Sequence, residues 1–209
     1  MASGTPITIL SVDDHPLVRD GINFAIQSQP DMTVVAEASN GHEAVEMFLR
    51  HRPDVTLMDL QMPQMNGIEA TIEIRKAAPA ARVLVLTTYS GDIQAMRALE
   101  AGAVGYLLKG SLRKELVQAI RDVHGGRRRI QPEVAHEMAE NISSDRLSAR
   151  EVQVLRIVAA GQPNKIVADS LSITEDTVKG HMKSIMAKLQ ANDRTHAVLI
   201  AMKRGFLDG

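Results

Sequence analysis

The 209-residue chain contains no cysteine and no tryptophan, and aromatic residues make up only 2% of it. The missing cysteines exclude disulfide bonds, thiolate zinc sites and cysteine nucleophiles. With so few aromatic rings, the core must be filled by Leu, Ile, Val, Met and Ala. No apolar run approaches the roughly 20 residues that span a bilayer, and the first residues lack the basic and apolar regions of a secretory signal. These absences favour a globular protein in a reducing cytoplasm.

Charge is unevenly distributed, although the net charge is only −1. Residues 1–124 carry 11 Lys and Arg against 15 Asp and Glu, whereas residues 146–207 carry 10 against 5. Such asymmetry predicts two domains with different partners, with chance variation between two solvated surfaces as the alternative. We place a first domain at 5–124, a linker with a short helix at 125–146, and a second domain at 147–209.

The first domain alternates apolar strand patterns with amphipathic helix patterns. The predicted strands are 7–12, 33–38, 55–59, 82–87 and 103–108, and the predicted helices are 17–27, 41–49, 67–76, 92–101 and 112–123. Asn66 and Glu69 have the spacing of a capping box at the start of the third helix. Five strands alternating with helices on short connections predict a doubly wound, five-stranded parallel α/β sheet of the flavodoxin-like kind.

Charged and hydroxyl side chains stand where the predicted strands end. Asp13 and Asp14 end the first strand, Asp59 the third and Thr87 the fourth, and Lys109 follows the fifth. Alone, Asp59 is readily explained as a capping or loop aspartate. Three carboxylates at one rim of a sheet, however, must bind a cation or take up protons, and all-oxygen ligands favour Mg²⁺. A hydroxyl and an ammonium opposite them would contact a phosphoryl group placed on the central acid, Asp59.

Residues 7–124 resemble the receiver domain of bacterial two-component response regulators. The resemblance rests on the Asp13-Asp14 pair, Asp59 within Leu57-Met58-Asp59-Leu60-Gln61-Met62-Pro63, Thr87, and Gly105-Tyr106-Leu107-Leu108-Lys109. It implies that Asp59 accepts phosphate from a sensor histidine kinase. It also implies a cytoplasmic protein that is not an enzyme.

The same resemblance assigns the remaining residues of the site. It implies that Asp14 binds Mg²⁺ (or Mn²⁺) directly, that Asp13 does so mainly through water, and that Asp59 and the backbone carbonyl of Gln61 complete the protein's ligands. It further implies that Thr87 and Lys109 contact the phosphoryl oxygens and that the ring of Tyr106 rotates with the switch.

The second domain has short helices only. Ser148 and Glu151 form a predicted capping box, and Asn164 is the predicted cap of the next helix. A third helix after Thr174 carries an apolar face, Val178, Met182, Ile185, Met186 and Leu189, with Lys179, Gly180 and Lys183 on the opposite side. A helix, a tight turn and a second helix with an outer basic face match entry into the DNA major groove. A solvated lysine face on a small bundle is the alternative.

Residues 147–206 resemble the LuxR-type helix-turn-helix domain. The matching pattern includes Leu147-Ser148, Arg150-Glu151, Gly161, Asn164-Lys165, Ala168, Thr177-Val178-Lys179, His181, Lys188-Leu189 and Asp193-Arg194-Thr195. Together with the receiver, the chain resembles regulators of the NarL/FixJ branch. This implies DNA contacts by Thr177, Lys179, Gly180, Lys183 and Lys188, a homodimer when phosphorylated with help from the last helix, and an inverted-repeat operator.

Two other functions are associated with parts of this pattern. Aspartyl-phosphate phosphohydrolases also carry a nucleophilic aspartate after a parallel strand, but they place a second acid two residues later, where this chain has Gln61. Flavin or nucleotide modules share the predicted sheet, but Asp13-Asp14-His15-Pro16 stands where a glycine-rich turn would follow the first strand. The run Arg127-Arg128-Arg129 is read as a solvated linker face, with phosphate contact as the alternative.

Overall fold

The computed structural model describes residues 5–88, 91–140 and 146–207. Its contacts divide the chain into two compact units. The first comprises the described parts of Met1–Thr88 and Ala95–Glu133, and the second those of Tyr89–Gln94 and Val134–Gly209.

The first unit is built on one parallel sheet. Its strands are β1 Ile7–Val12, β2 Met32–Ala38, β3 Val55–Asp59, β4 Val83–Thr87, β5 Gly105–Leu108 and β6 Arg129–Ile130. They lie in the order β2-β1-β3-β4-β5-β6, and every neighbouring pair is parallel. The chain order reverses at β1 and β3, so the predicted doubly wound fold is confirmed. The sheet has a sixth strand that the sequence analysis did not predict.

A helix follows each of the first five strands. These helices are α1 Pro16–Gln27, α2 Gly41–His51, α3 Gly67–Ala77, α4 Asp92–Glu100 and α5 Leu112–His124. The predicted capping box at α3 is present, because Asn66 accepts from the backbone of Glu69 and Glu69 accepts from the backbone of Asn66. Pro16 starts α1 and Asn40 caps α2 within a few residues of the preceding strand, which keeps those two connections short.

Alternate residues of the strands pack on opposite faces of the sheet. Ile9 and Leu57 face a core shared with α1 and α5. Leu10 and Met58, the next residue of each strand, face a core shared with α2 and α3. Burial on both faces explains the nearly continuous apolar runs that predicted these strands.

The described helices after β6 are short. They are α6 Pro132–Glu140, α7 Ala149–Ala159, α8 Asn164–Leu171, α9 Glu175–Lys188 and α10 Arg194–Arg204. Helix α6 begins at the end of the first unit, and the helices after it surround the core of the second unit. The interpretation of Asn164 as a cap was wrong: Pro163 is the N-cap and Asn164 is the first helical residue. The short helix of the linker is predicted at 132–142; its last two residues, Asn141 and Ile142, lie outside the described residues, as do Ser143, Ser144 and Asp145.

Apolar faces of α7, α8 and α9 meet at fully buried Val154, Val167, Val178 and Ile185. Within the part of the chain that is described, no helix is both long and apolar enough to cross a membrane.

Candidate functional site: an acidic cluster and a helix-turn-helix

The register of the sheet brings the predicted acidic residues to one rim. Val12 pairs with Met58, so Asp13 and Asp59, the residues that follow, stand level on neighbouring strands. On the other side Asp59 pairs with Leu86, which places Thr87 one residue further along β4. Parallel pairing therefore converts separate sequence positions into one cluster.

Lys109 lies between the two buried carboxylates of this cluster. Its Nζ is 2.7 Å from Asp13 Oδ2 and 3.0 Å from Asp59 Oδ2. Burial raises the pKa of the Asp59 carboxyl above its ordinary value, and the attraction of Lys109 offsets only part of this effect. Burial alone would lower the pKa of Lys109, but its contacts with the two carboxylates outweigh burial and raise it. One ammonium thus holds two acids that would otherwise repel each other.

Asp14 and His15 complete the acidic side of the cluster. Ligand atoms of Asp13, Asp14, His15 and Asp59 all lie within 4.8 Å of one another. His15 Nδ1 is 2.7 Å from Asp14 Oδ1, and its backbone N–H donates to Asp13 Oδ1 at 2.9 Å. No role was predicted for His15 from the sequence, although its position beside two acids was a signal.

The oxygen atoms of this cluster suit a hard cation. Asp13 Oδ2 is buried 2.7 Å from the Lys109 ammonium, and Asp14 Oδ1 is buried 2.7 Å from His15 Nδ1. Converging carboxylate oxygens are the ligands that Mg²⁺ prefers. The donor set therefore fits the metal, with Gln61 two residues beyond Asp59 in the connection from β3 to α3.

The backbone around Asp59 is fixed by a close approach of α3. The N–H of Leu60 donates to Asp59 Oδ1 at 2.8 Å, and the N–H of Gly67 donates to the carbonyl of Leu60 at 3.0 Å. A Cβ at Gly67 would lie 1.9 Å from the carbonyl oxygen of Asp59. Only glycine allows the first turn of α3 to lie this close to the strand end.

The other predicted switch residues occupy neighbouring strand ends. Thr87 is buried at the end of β4 and pairs with Leu108, the residue before Lys109. Tyr106 is fully buried within β5. Both belong to the two strands that border the cluster on the side away from β1.

The second candidate site is the pair α8 and α9. Ser172 takes the left-handed conformation at φ 53°, which ends α8 and turns the chain within three residues. Thr174 then caps α9, accepting from the N–H of Thr177 at 3.2 Å, and the two hydroxyls lie 2.8 Å apart. This is the geometry of a helix-turn-helix.

The predicted DNA-contacting residues of α9 form an exposed face. Thr177, Lys179, Gly180 and Lys183 are exposed, whereas Val178 and Met182 between them are buried. Lys179 Nζ lies 2.8 Å from the carboxylate of Asp176. Nothing lies within 4 Å of a Cβ at Gly180, so the helix backbone is uncovered there.

Lys188 is placed differently from these residues. Its Nζ lies 2.8 Å from Glu151 Oε2, and Glu151 also accepts from the Ser184 hydroxyl at 2.7 Å and from the Ser148 N–H at 2.7 Å. Burial raises the pKa of Glu151, but these hydrogen bonds outweigh it and lower the pKa to about 2. The network ties the start of α7 to the last turns of α9. It gives Lys188 an internal role, and its predicted contact with DNA stays a prediction.

An acidic cluster with a lysine at the strand ends of a doubly wound sheet, joined in one chain to a helix-turn-helix, defines a response regulator that acts on DNA. Two family models match accordingly: the response regulator receiver domain over residues 9–121, and the luxR family of bacterial regulatory proteins over residues 145–201. The chain belongs to the transcriptional response regulators with a LuxR-type DNA-binding domain.

Similar proteins match nearly the whole chain. The transcriptional regulatory protein YxjL of Bacillus subtilis (strain 168) is 38% identical over 217 residues, covering 96% of this chain and 97% of YxjL. The response regulator protein VraR of Staphylococcus aureus is 37% identical over 206 residues, covering 96% of this chain and 99% of VraR. The crystal structure of ChrA, a response regulator of a heme-sensing two-component system, matches with a TM-score of 0.59 at 37% identity, covering 98% and 100%.

Proposed function

We propose that Asp59 is the phospho-acceptor of this regulator and that a sensor histidine kinase is the donor. The observation that carries the proposal is the position of Asp59: a buried carboxylate at a strand end, 3.0 Å from the Lys109 ammonium and beside two further acids. A nucleophile held next to a cation at the rim of the sheet suits attack on a phosphoryl group.

In the proposed transfer, the ionised carboxylate of Asp59 attacks the phosphorus of a phosphohistidine. The P–N bond breaks, its electron pair returns to the imidazole, which takes up a proton, and an acyl phosphate forms on Asp59. Lys109 and Thr87 then contact the phosphoryl oxygens. Because Gln61 cannot protonate a leaving group, the chain is not expected to turn over phosphoesters as a phosphohydrolase does.

Asp13, Asp14, Asp59 and the backbone carbonyl of Gln61 would hold Mg²⁺. When bound, the ion neutralises negative charge on the carboxylates and on the phosphoryl oxygens. The convergence of ligand atoms of Asp13, Asp14 and Asp59 within 4.8 Å of one another supports this assignment.

We further propose that phosphorylation controls DNA binding through α9. A phosphoryl group adds nearly two negative charges at neutral pH, which draws Thr87 inward and shifts Tyr106. The phosphorylated chain pairs as a homodimer, with α10 contributing to the pairing, and binds an inverted-repeat operator. Thr177, Lys179, Gly180 and Lys183 face the major groove in this arrangement.

The phospho-acceptor proposal is tested with a small phosphodonor and Mg²⁺, followed by intact-mass measurement. One phosphate should be added to the wild type and to the control Asp20→Asn, which removes an exposed acid of α1. Asp59→Asn should gain none. Labelling that persists in Asp59→Asn, or that needs no divalent metal, contradicts the assignment.

The DNA proposal is tested by selecting bound sequences and measuring affinity against salt concentration. Lys183→Ala should weaken binding or relax specificity at one base pair by about 1–3 kcal/mol. Lys114→Ala removes the same charge from α5 in the receiver and should leave binding unchanged. Equal losses in the two variants would mean that only overall charge matters and that α9 has no special role.

A further inference from the structure

The side chain of Gln131 is buried directly after β6, with only 1% of its surface exposed. The N–H of Leu108 donates to Gln131 Oε1 at 2.7 Å, and Gln131 Nε2 donates to Glu115 Oε1 at 3.0 Å. A backbone N–H can only donate and a carboxylate can only accept, so these two partners fix which way the amide points. No other neutral side chain of this length supplies both groups at once.

Gln131 fastens the segment 129–131 to the strand that leads to Lys109. Arg129 and Ile130 pair with Gly105 and Tyr106 of β5, and the N–H of Gln131 points to the carbonyl of Tyr106 at 3.4 Å. The contact to Leu108 is one residue from Lys109, whose ammonium bridges Asp13 and Asp59. The backbone at Lys109 is therefore next to an N–H that Gln131 holds, so a backbone shift at Lys109 would act on this bond.

Glu115 of α5 holds the same segment from the other side. Its two carboxylate oxygens are divided between Gln131 Nε2 at 3.0 Å and the guanidinium of Arg129 at 2.9 Å. The segment is thus attached by side chains at both of its ends, although β6 itself contains only two residues. In sequence, Pro132 and α6 follow at once and lead to the DNA-binding domain.

We propose that Gln131 is a positioning residue that couples the phosphorylation site to the segment leading to the DNA-binding domain. Phosphorylation of Asp59 shifts Lys109 and Leu108, this changes the attachment of segment 129–131, and the change passes along the chain to α6. The proposal rests on the proposed function, since it requires both phosphorylation of Asp59 and a DNA response.

The test uses the full chain and measures DNA affinity with and without phosphodonor. For the wild type we expect phosphorylation to change affinity by about tenfold, within the range of known couplings. Gln131→Glu places a carboxylate against Glu115, and the resulting repulsion detaches the segment. This variant should incorporate the same amount of phosphate as the wild type, yet its affinity should change less than about twofold on phosphorylation.

The double variant Gln131→Glu with Glu115→Gln is the matched control. Its two groups exchange roles: the carboxylate at 131 accepts from Leu108 and from the amide at 115, whose carbonyl oxygen still accepts from Arg129. It should regain the wild-type response. If Gln131 has only a structural role, Gln131→Glu should lower the stability of the chain but leave the ratio of DNA affinities with and without phosphodonor as in the wild type. That result would overturn the proposal.

Hydrogen exchange at segment 129–131 and at Leu108 gives a second readout. Protection should change on phosphorylation in the wild type and stay constant in Asp59→Asn. If the wild type takes up no phosphate or its affinity does not respond, the proposed function fails. If the wild type responds and the Gln131 variants respond equally, only the coupling role fails.

Discussion

Each of the two units contains a buried carboxylate, and the surroundings of these two carboxylates shift their pKa values in opposite directions. Asp59 in the receiver and Glu151 in the DNA-binding domain are 3% and 4% exposed. Burial raises the pKa of both, but Asp59 keeps a raised pKa while hydrogen bonds lower that of Glu151 to about 2.

The number of donors around each acid explains this difference. Asp59 accepts from one backbone N–H and shares its lysine with Asp13. Glu151 accepts from a lysine, a hydroxyl and a backbone N–H. Burial alone therefore does not determine the role of a carboxylate. Asp59, which has fewer hydrogen-bond donors around it, remains available for chemistry, whereas Glu151, which is fully hydrogen-bonded, stabilises the fold.

The largest expected effect comes from removing the space beside Asp59. Gly67→Ala would push α3 against the carbonyl of Asp59 and should lower the free energy of unfolding of the receiver by about 3 kcal/mol or more. Gly21→Ala, a helical glycine with nothing within 4 Å of its added Cβ, is the control and should be neutral or stabilising. Denaturant unfolding followed by hydrogen exchange in β3 measures both, and equal stabilities would show that the close approach is unimportant.

The next largest effect is expected at acid pH, where the contribution of Glu151 to stability should be lost. The folded pKa of Glu151 is depressed, so its contribution is complete above its ordinary value of 4.5 and is lost as pH falls toward about 2. The loss in the DNA-binding domain should reach up to about 3 kcal/mol over that window. Protection of amides in α7 and α9, measured between pH 5 and pH 2.5 (about the range of the shift), checks this. Glu151→Gln should flatten the dependence, and an unchanged slope in that variant would contradict it.

The same acid-to-amide substitution should change stability in opposite directions at the two sites. Glu151→Gln should destabilise the DNA-binding domain by about 2 kcal/mol at neutral pH, because Lys188 loses its charged partner. Asp59→Asn should stabilise the receiver, because an ion whose pKa burial raises is removed and Lys109 keeps Asp13. Thermal unfolding of the full chain, combined with hydrogen exchange resolved for each domain, measures the change in stability for both variants. If both variants were stabilised, or both destabilised, the contrast between the two sites would be refuted.

The smallest effect concerns the exposed pair on α9. Asp176→Asn frees Lys179 and removes a negative charge from the face proposed to meet DNA, so affinity should rise up to about fivefold at low salt. Glu175→Gln removes the same charge one residue earlier and controls for the general electrostatic gain. A filter-binding series that gives equal gains for both variants would mean that the pairing of Lys179 is immaterial.

The sequence predicted the strand ends of the receiver because buried parallel strands carry continuous apolar runs that stop at polar residues. Asp13, Asp59 and Thr87 are brought together as expected. Strand β6 was missed because Arg129-Ile130 is too short to show a period, and its pairing depends on β5, more than twenty residues earlier.

The capping role of Glu151 could be predicted from local spacing, whereas its bonds to Ser184 and Lys188 could not. Those partners lie 33 and 37 residues away and meet it only when α7 packs on α9. The basic face of α9 was likewise predictable from the helical spacing of its apolar residues. The ion pair between Lys188 and the buried Glu151, in contrast, depends on tertiary packing. Local chemistry thus identified the residues, and the fold assigned their partners.

The brevity of β6 also bears on how the sheet avoids aggregation. An edge strand exposes unpaired N–H and C=O groups that can recruit a strand from another chain. Here the edge strand beside β5 consists of Arg129 and Ile130 alone, and Pro132, which has no N–H, follows two residues after Ile130. Arg127 and Arg128 add exposed positive charge just before it. This edge of the sheet is therefore a poor template for β-pairing with another chain. A poor template helps to keep the regulator from aggregating before it is activated.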